Sequence, residues 1–372
     1  MPTDPDFAVT ATPAGTRRYA AQHATAADAY SRAGDLSLSS LGLGTYLGAA
    51  DAATDAAYAA AIAEALRLGI NVLDTASNYR CGRSERVIGA VLRERFAAGS
   101  VQRSEVFVAS KAGFVPTDGR APGAAIHAAT IGRGLCSDDE LVAGCHCMAP
   151  AFLRAMVQQS RANLGLQAID LYYLHNPETQ LQTLDRAQFE KRVRAAFAAL
   201  EDAVAAGEIA AYGVATWSGL RALPHERDHL ELAQLCRLAT EVAGPEHHLR
   251  AVQLPLNLAM PEALTLRNQW VGGQPRSVLE AAAELGLTVM TSAALLQGKL
   301  ARMAAAAAQT LQPSQPLAAL QFARSAPGVT TALCGMASVE HVRENARLLG
   351  QPKAAQDAVA EALPGARVVA LP

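Results

Sequence analysis

The chain is predicted to be an α/β protein folded as a (β/α)8 TIM barrel with an N-terminal extension and a C-terminal tail. Three observations carry that expectation. Short β-rich runs recur along the chain and alternate with Ala/Leu-rich stretches of helical spacing. Four of those stretches stop at a glycine, the residue that most readily takes the left-handed conformation closing a helix. Four ionisable residues stand at or just beyond the ends of the second, third and fourth runs, where apolar segments ordinarily exclude charge unless something pairs it.

The β-rich runs are Leu41–Tyr46, Asn71–Asp74, Val106–Ser110, Ile169–Leu174, Ala211–Ala215, Ala251–Leu254, Leu287–Thr291 and Thr330–Cys334. Helical stretches lie at Asp55–Leu68 before Gly69, Ala151–Leu164 before Gly165, Lys191–Ala206 before Gly207 and Val278–Leu285 before Gly286. Eight strand–helix units closing on themselves fit the span from Leu41 to Leu349. A doubly wound open sheet also alternates strands and helices. It normally carries a Gly-x-Gly-x-x-Gly turn after its first strand, and none follows Tyr46.

The expected organisation is an extension over residues 1–34, a barrel over 35–350 and a tail over 351–372. The extension is rich in Ala, Thr and Pro and reads as a segment that packs loosely or is partly disordered, with Asp35–Ser40 as a strand before the barrel. The tail holds one amphipathic stretch, Ala354–Ala362, ended by Pro364 and Gly365. The longest break in the repeat is Gly113–Pro150, and a loop of that length on the C-terminal side of a barrel strand usually shapes a ligand pocket.

At 372 residues the chain can bury a sizeable core, and 51% hydrophobic with 18% charged residues is an ordinary globular balance. A net charge of −2 gives no reason to expect nucleic acid or an anionic membrane as partner, so a small molecule is the expected one. The N-terminus carries Asp4 and Asp6 with no basic start before an apolar stretch, and Ala56–Ala65 is too short to span a bilayer. Six cysteines without a secretory signal imply reduced thiols and a cytoplasmic location. Nothing in the composition bears on oligomeric state.

Asp74 closes the second run, Tyr79 follows five residues later, Lys111 closes the third run and His175 the fourth. An acid, a phenol, an ammonium and an imidazole converging at one end of a parallel sheet make a proton-donating site. A phenol of pKa about 10 is a reluctant donor, and a neighbouring ammonium at Lys111 is expected to lower it. Asp74 would keep Lys111 charged and fixed, while His175 would orient a substrate oxygen or assist proton delivery. Taken singly, each has an ordinary role: a turn cap, a rim charge, a satisfied histidine. The joint order carries the reading.

The segment Gly69-Ile-Asn-Val-Leu-Asp-Thr-Ala-Ser-Asn-Tyr79, followed by Ser84-Glu85-Arg86-Val87-Ile88-Gly89, resembles the aldo-keto reductase family. So do Ser110-Lys111, the stretch from Asn163 to His175, and Glu344-Asn345. The resemblance runs in order from Leu41 to Leu349. It implies a (β/α)8 barrel that binds NADP(H) or NAD(H) and reduces aldehydes or ketones by hydride transfer. The catalytic set it implies is Asp74, Tyr79, Lys111 and His175.

The resemblance also implies cofactor contacts from Thr45, Thr216, Gln253, Ser292 and Leu295, and from Gly335, His341, Glu344 and Asn345 after the eighth strand. Here the chain departs from the family pattern. Where the family places Ser-Asn for the nicotinamide carboxamide, this chain has Ala215-Thr216. Where it places an aromatic ring for stacking, this chain has Ser292 followed by Ala293, Ala294 and Leu295, and Trp217 is the candidate replacement. The diphosphate segment Leu295–Lys299 contains one glycine, Gly298. At the eighth strand Met336, Ala337 and His341 stand where relatives that prefer NADP carry Ser, Lys or Arg, leaving Arg343 as the strongly basic neighbour. NADP(H) is expected ahead of NAD(H), bound more weakly than is usual for the family.

Cys136, Cys145, His146 and Cys147 lie together in the long loop. Paired zinc cysteines normally stand two or more residues apart, so the expectation is no metal, with these side chains lining a pocket or buried. Two rivals to carbonyl reduction stand beside it. One is a non-redox lyase or isomerase using the same four residues; the other is a non-enzymatic subunit that senses a nucleotide.

Overall fold

The computed structural model describes residues 9–117, 122–296, 299 and 315–363. Eight strands close into one barrel: β1 (Leu41–Gly44), β2 (Val72–Asp74), β3 (Phe107–Ala112), β4 (Leu171–His175), β5 (Tyr212–Ala215), β6 (Leu249–Pro255), β7 (Thr288–Ser292) and β8 (Val329–Gly335). Every neighbouring pair is parallel, and β8 closes on β1.

The helical stretches read from the sequence are helices at Ala52–Arg67, Pro150–Leu164, Arg186–Ala205 and Val278–Glu284. Gly69, Gly165, Gly207 and Gly286 all have positive φ, at 93°, 65°, 69° and 69°, which is the conformation a side chain resists and a helix stop needs. Further helices at Arg83–Ala97, Leu232–Ala243, Gln315–Ser325 and Val339–Ala346 pack outside the strands. In the tail a short helix covers Gln356–Glu361; Pro364 and Gly365 lie outside the described residues.

Alternation along the strands explains where the site sits. Side chains two apart share a face, so Phe107, Ala109 and Lys111 point inward together, as do Leu171, Tyr173 and His175. The apolar members of these sets fill the interior with Val72, Ala215, Ala251, Met290 and Leu333. The polar member is the last inward position of each strand, above that plug. Register then levels them: Asp74 pairs with Gly44 and Ala109, and Ala215 with His175 and Gln253.

The extension differs from the expectation over its described part. Pro13–His23 is a helix, and Tyr30–Ala33 pairs antiparallel with Leu36–Ser39, so the expected boundary at residue 34 falls in a hairpin turn. Leu38 is fully buried in the inner core, and Tyr19 donates its buried hydroxyl to the Leu66 carbonyl. The apolar positions Tyr19, Ala29 and Leu38 are the reason this segment packs: they close the N-terminal mouth of the barrel. The tail reaches the same end, where Lys353 Nζ donates to Ser31 Oγ at 3.0 Å and to the Val329 carbonyl at 3.1 Å.

Among the described residues no helix is long and apolar enough to cross a membrane. The long loop carries a short helix at Gly123–Ala129 and returns to Phe114 through His146. Gly298 lies outside the described residues.

Candidate active site

A cavity of about 710 Å³ opens at the C-terminal end of the barrel. Asp74, Tyr79 and His175 line it, and so do all nine positions expected to hold a cofactor: Thr45, Thr216, Gln253, Ser292, Leu295, Gly335, His341, Glu344 and Asn345. Lys111 does not line it. It lies fully buried beneath Asp74 and Tyr79.

Both Asp74 oxygens are engaged. Oδ1 receives Lys111 Nζ at 2.5 Å, and Oδ2 receives Gln253 Nε2 at 2.8 Å. Lys111 Nζ also donates to the Thr75 carbonyl at 2.8 Å and stands 5.0 Å from the centroid of the Tyr79 ring. The expectation that Lys111 draws the Tyr79 phenol down is not met in this geometry. Burial is the largest influence and holds the phenol well above its ordinary range, with the Asp74 charge and Tyr46 adding to the rise. The ammonium faces Asp74, Thr75 and the ring.

Tyr79 is delivered by an unusual turn. Arg80 and Cys81, immediately after it, have φ of 49° and 59°, left-handed values that disfavour side chains. Arg80 is held there by the Ala49 carbonyl at 2.8 Å and Asp55 Oδ1 at 2.5 Å, and its guanidinium stacks over the Tyr58 ring. Glu85, fully buried one turn on, accepts from Ser110 Oγ at 2.6 Å and Asn163 Nδ2 at 2.8 Å. That one carboxyl joins three of the segments noted in the sequence.

His175 meets Tyr79 edge-on, their ring centroids 5.9 Å apart. Its Nδ1 is buried and has no partner among the described residues, which leaves Nε2 to meet a ligand. Burial first, then Lys111 and His146, hold its pKa well below the usual value, so the ring is neutral. Its pocket-facing nitrogen can therefore donate one hydrogen bond. Phe114 packs against the other side of this imidazole at 5.2 Å.

Around the rim, Tyr46 is 53% exposed and lies 5.0 Å from the Tyr79 ring, and Trp217 is 40% exposed. Trp217 is thus a cavity-lining residue and not a core one. Its loop is shaped by Glu178, a buried carboxyl whose Oε1 accepts the Trp217, Ser218 and Gly219 amides at 2.7, 3.0 and 3.3 Å. On the far side, Arg343 turns away to Glu64 at 2.7 Å, and no lysine or arginine lines the cavity among the described residues.

Sequence reasoning missed Phe114, Asn78, Tyr46, Glu178 and the place of His146. The first four sit beside recognised strand ends, which is the signal that would have found them. His146 stands between Cys145 and Cys147 in sequence, yet both of its ring nitrogens are engaged, by His175 and Gln180. No group of three or more His, Cys, Asp or Glu placed to hold a metal occurs among the described residues.

A closed parallel eight-stranded barrel thus gathers an acid, a phenol, an ammonium and an imidazole at its C-terminal mouth. The model of the aldo/keto reductase family matches residues 40–238, more than half of the chain, and the protein belongs to that family. It is similar to the D-threo-aldose 1-dehydrogenase of Pseudomonas sp, at 31% identity over 153 residues, covering 39% of this chain. The match spans only 40% of that relative's length. Among solved structures it is similar to an aldo-keto reductase from Bacillus halodurans in its holo form, at 19% identity and a TM-score of 0.60, covering 91% of this chain and 97% of that one. An aldo/keto reductase from Klebsiella pneumoniae, in complex with NADP and acetate, is 20% identical with a TM-score of 0.57, covering 91% and 98%. At such identities the likeness is one of fold.

Proposed function

We propose that this protein is an NAD(P)H-dependent oxidoreductase that reduces an aldehyde or ketone to an alcohol, with Tyr79 as the proton donor. The observation that carries the reading is that His175 and Tyr79 line one cavity edge to edge, with the Lys111–Asp74 pair directly beneath. His175 Nε2 donates to the carbonyl oxygen and fixes its direction. Tyr79 then passes its hydroxyl proton to that oxygen as negative charge develops there. The phenolate so formed is compensated by the buried Lys111 ammonium, which Asp74 holds in place.

A bound nicotinamide supplies the hydride. The residues fit such a group: Thr216 Oγ1 is buried with no partner among the described residues, and Gln253, fixed by its bond to Asp74, lines the same cavity. Ser338 caps the helix Val339–Ala346, whose first amides suit an adenosine phosphate. NADP(H) stands ahead of NAD(H), with support from the Klebsiella pneumoniae relatives described with NADP and NADPH. The absence of cavity lysine and arginine among the described residues, with Ala215 and Ser292 at contact positions, supports weak binding. Aldoses belong in the substrate panel because of the Pseudomonas dehydrogenase.

Those same two substitutions favour the second reading, a lyase or isomerase that uses the four residues without hydride transfer. Fluorescence titration with NADPH and NADH, followed by turnover on aldehydes, ketones and aldoses, separates the two. Oxidation of either nucleotide with a carbonyl substrate is the expected outcome. No binding of either at about millimolar concentration, with the fold intact, moves the assignment to the non-redox enzyme.

A further inference from the structure

The 113–150 loop returns against the segment that follows His175, and one imidazole joins them. His146 is completely buried. Its Nε2 lies 2.8 Å from the main-chain oxygen of His175, and its Nδ1 lies 2.9 Å from Gln180 Nε2. The direction of these bonds is settled from the far end. Arg192 Nη1 reaches Gln180 Oε1 at 2.5 Å, and a guanidinium only donates, so the Gln180 amide nitrogen must face His146. His146 Nδ1 therefore accepts, and Nε2 carries the proton given to His175.

The relay begins in the loop itself. Arg192 also donates to the Asp139 carbonyl at 2.7 Å and to its carboxylate at 3.2 Å. Gln180 Nε2 holds the His146 carbonyl as well, at 3.2 Å. Phe114 stands edge-on to both imidazoles, 4.9 Å from His146 and 5.2 Å from His175. Gly113 permits this approach, since a Cβ there would come within 2.3 Å of the His175 carbonyl and 2.9 Å of His146 Nε2.

We infer that His146 is a positioning residue: by donating to the His175 main-chain oxygen it fixes the end of β4, and with it the placement of the His175 ring and of Phe114. The inference rests on the reading of His175 as the group that orients the carbonyl. It gives the long loop a route to the reaction, because loss of the Asp139–Arg192 contact releases Gln180, then His146, then His175. The relay is uncharged at its centre, since burial lowers the His146 pKa to about 4. The titratable and charged groups around it are His175 across the bond, Arg192 and Asp139 beyond Gln180, and Cys145 and Cys147 on either side of it in the chain.

Three variants test the inference. His146→Phe keeps ring volume without either hydrogen bond, and kcat is expected to fall about tenfold or more while the cofactor Kd stays within about twofold. His146→Gln restores a donor near Nε2 and is expected to recover most of that loss. Gln180→Glu keeps Arg192 paired but cannot donate, so His146 reaches both neighbours only as an imidazolium. Its kcat is expected to be high at acidic pH and to fall as His146 deprotonates, a titration absent from the wild type. Wild-type kcat in His146→Phe, or a wild-type pH profile in a folded Gln180→Glu, would overturn the inference.

Nitrogen-15 NMR of histidine-labelled wild-type protein needs no turnover and keeps the two readings apart. It should show His146 neutral, in the Nε2–H form, from about pH 5 to about 9. An Nδ1–H form, or titration in that range, overturns the relay whatever the enzyme does. The expected tautomer in a protein with no oxidoreductase activity overturns the carbonyl-reduction reading and the role in turnover, and leaves the relay standing.

Discussion

Lys111 Nζ lies 2.5 Å from Asp74 Oδ1 and 2.8 Å from the Thr75 carbonyl, with no part of the lysine exposed. Neither charge of this pair has much water to fall back on, and burial presses the lysine pKa below its ordinary value while Asp74 opposes the change. Removing one member leaves the other buried and uncompensated, which costs about 3–5 kcal/mol. Lys111→Met should therefore lower stability by about that much, as measured by urea unfolding, and should also depress turnover. Adding Asp74→Asn should recover part of the stability loss. Strictly additive losses in the double variant would show that the two side chains are energetically independent.

Tyr79→Phe removes one hydroxyl and no core volume. Turnover should drop by about a hundredfold or more, while nucleotide affinity and the unfolding midpoint stay near those of the parent. Activity close to wild type would remove Tyr79 from the proton-donor role.

At the cofactor end, Ala215, Thr216 and Ser292 supply fewer side-chain contacts than the family pattern. Each missing hydrogen bond is worth about 0.5–1.5 kcal/mol, and a missing ring stack is of similar size. Binding about tens-fold weaker than the family norm is expected, and Ala215→Ser, Thr216→Asn and Ser292→Tyr together should tighten it. Submicromolar affinity in the unmodified protein would assign the stacking to another ring. The exposed, cavity-lining Trp217 would then be the first to replace with alanine.

Two buried imidazoles set a pH dependence of stability. The His146 pKa is lowered from 6.5 to about 4 by burial, and His175 is lowered in the same direction. Between those values the unfolded chain binds protons that the native state refuses. The His146 contribution is therefore complete above pH 6.5 and is lost as pH falls toward 4, and that of His175 has the same sign. For His146 alone the loss is about 3 kcal/mol. Unfolding free energy measured across that range should decline less steeply in His146→Gln than in the parent. Equal slopes would show that His146 is not held neutral by the fold.

The sequence by itself determined the order of the strands and helices, because that information is local. The β-rich runs make strands and the four glycines at 69, 165, 207 and 286 stop helices. The Ser84-Glu85, Ser110-Lys111 and Asn163 segments were legible for a further reason: Glu85 ties the first to the other two. Only the tertiary structure decided what each side chain meets. Gln253 gives its amide nitrogen to Asp74, 179 residues away, and that bond exists only once the barrel has closed with its strands in register. His146 looked like a companion of cysteines and became a donor to His175, since a long loop's return path is set by what it packs on. Burial likewise outweighed the ammonium beside Tyr79, because the depth of a site belongs to the assembled barrel and to no single segment of it.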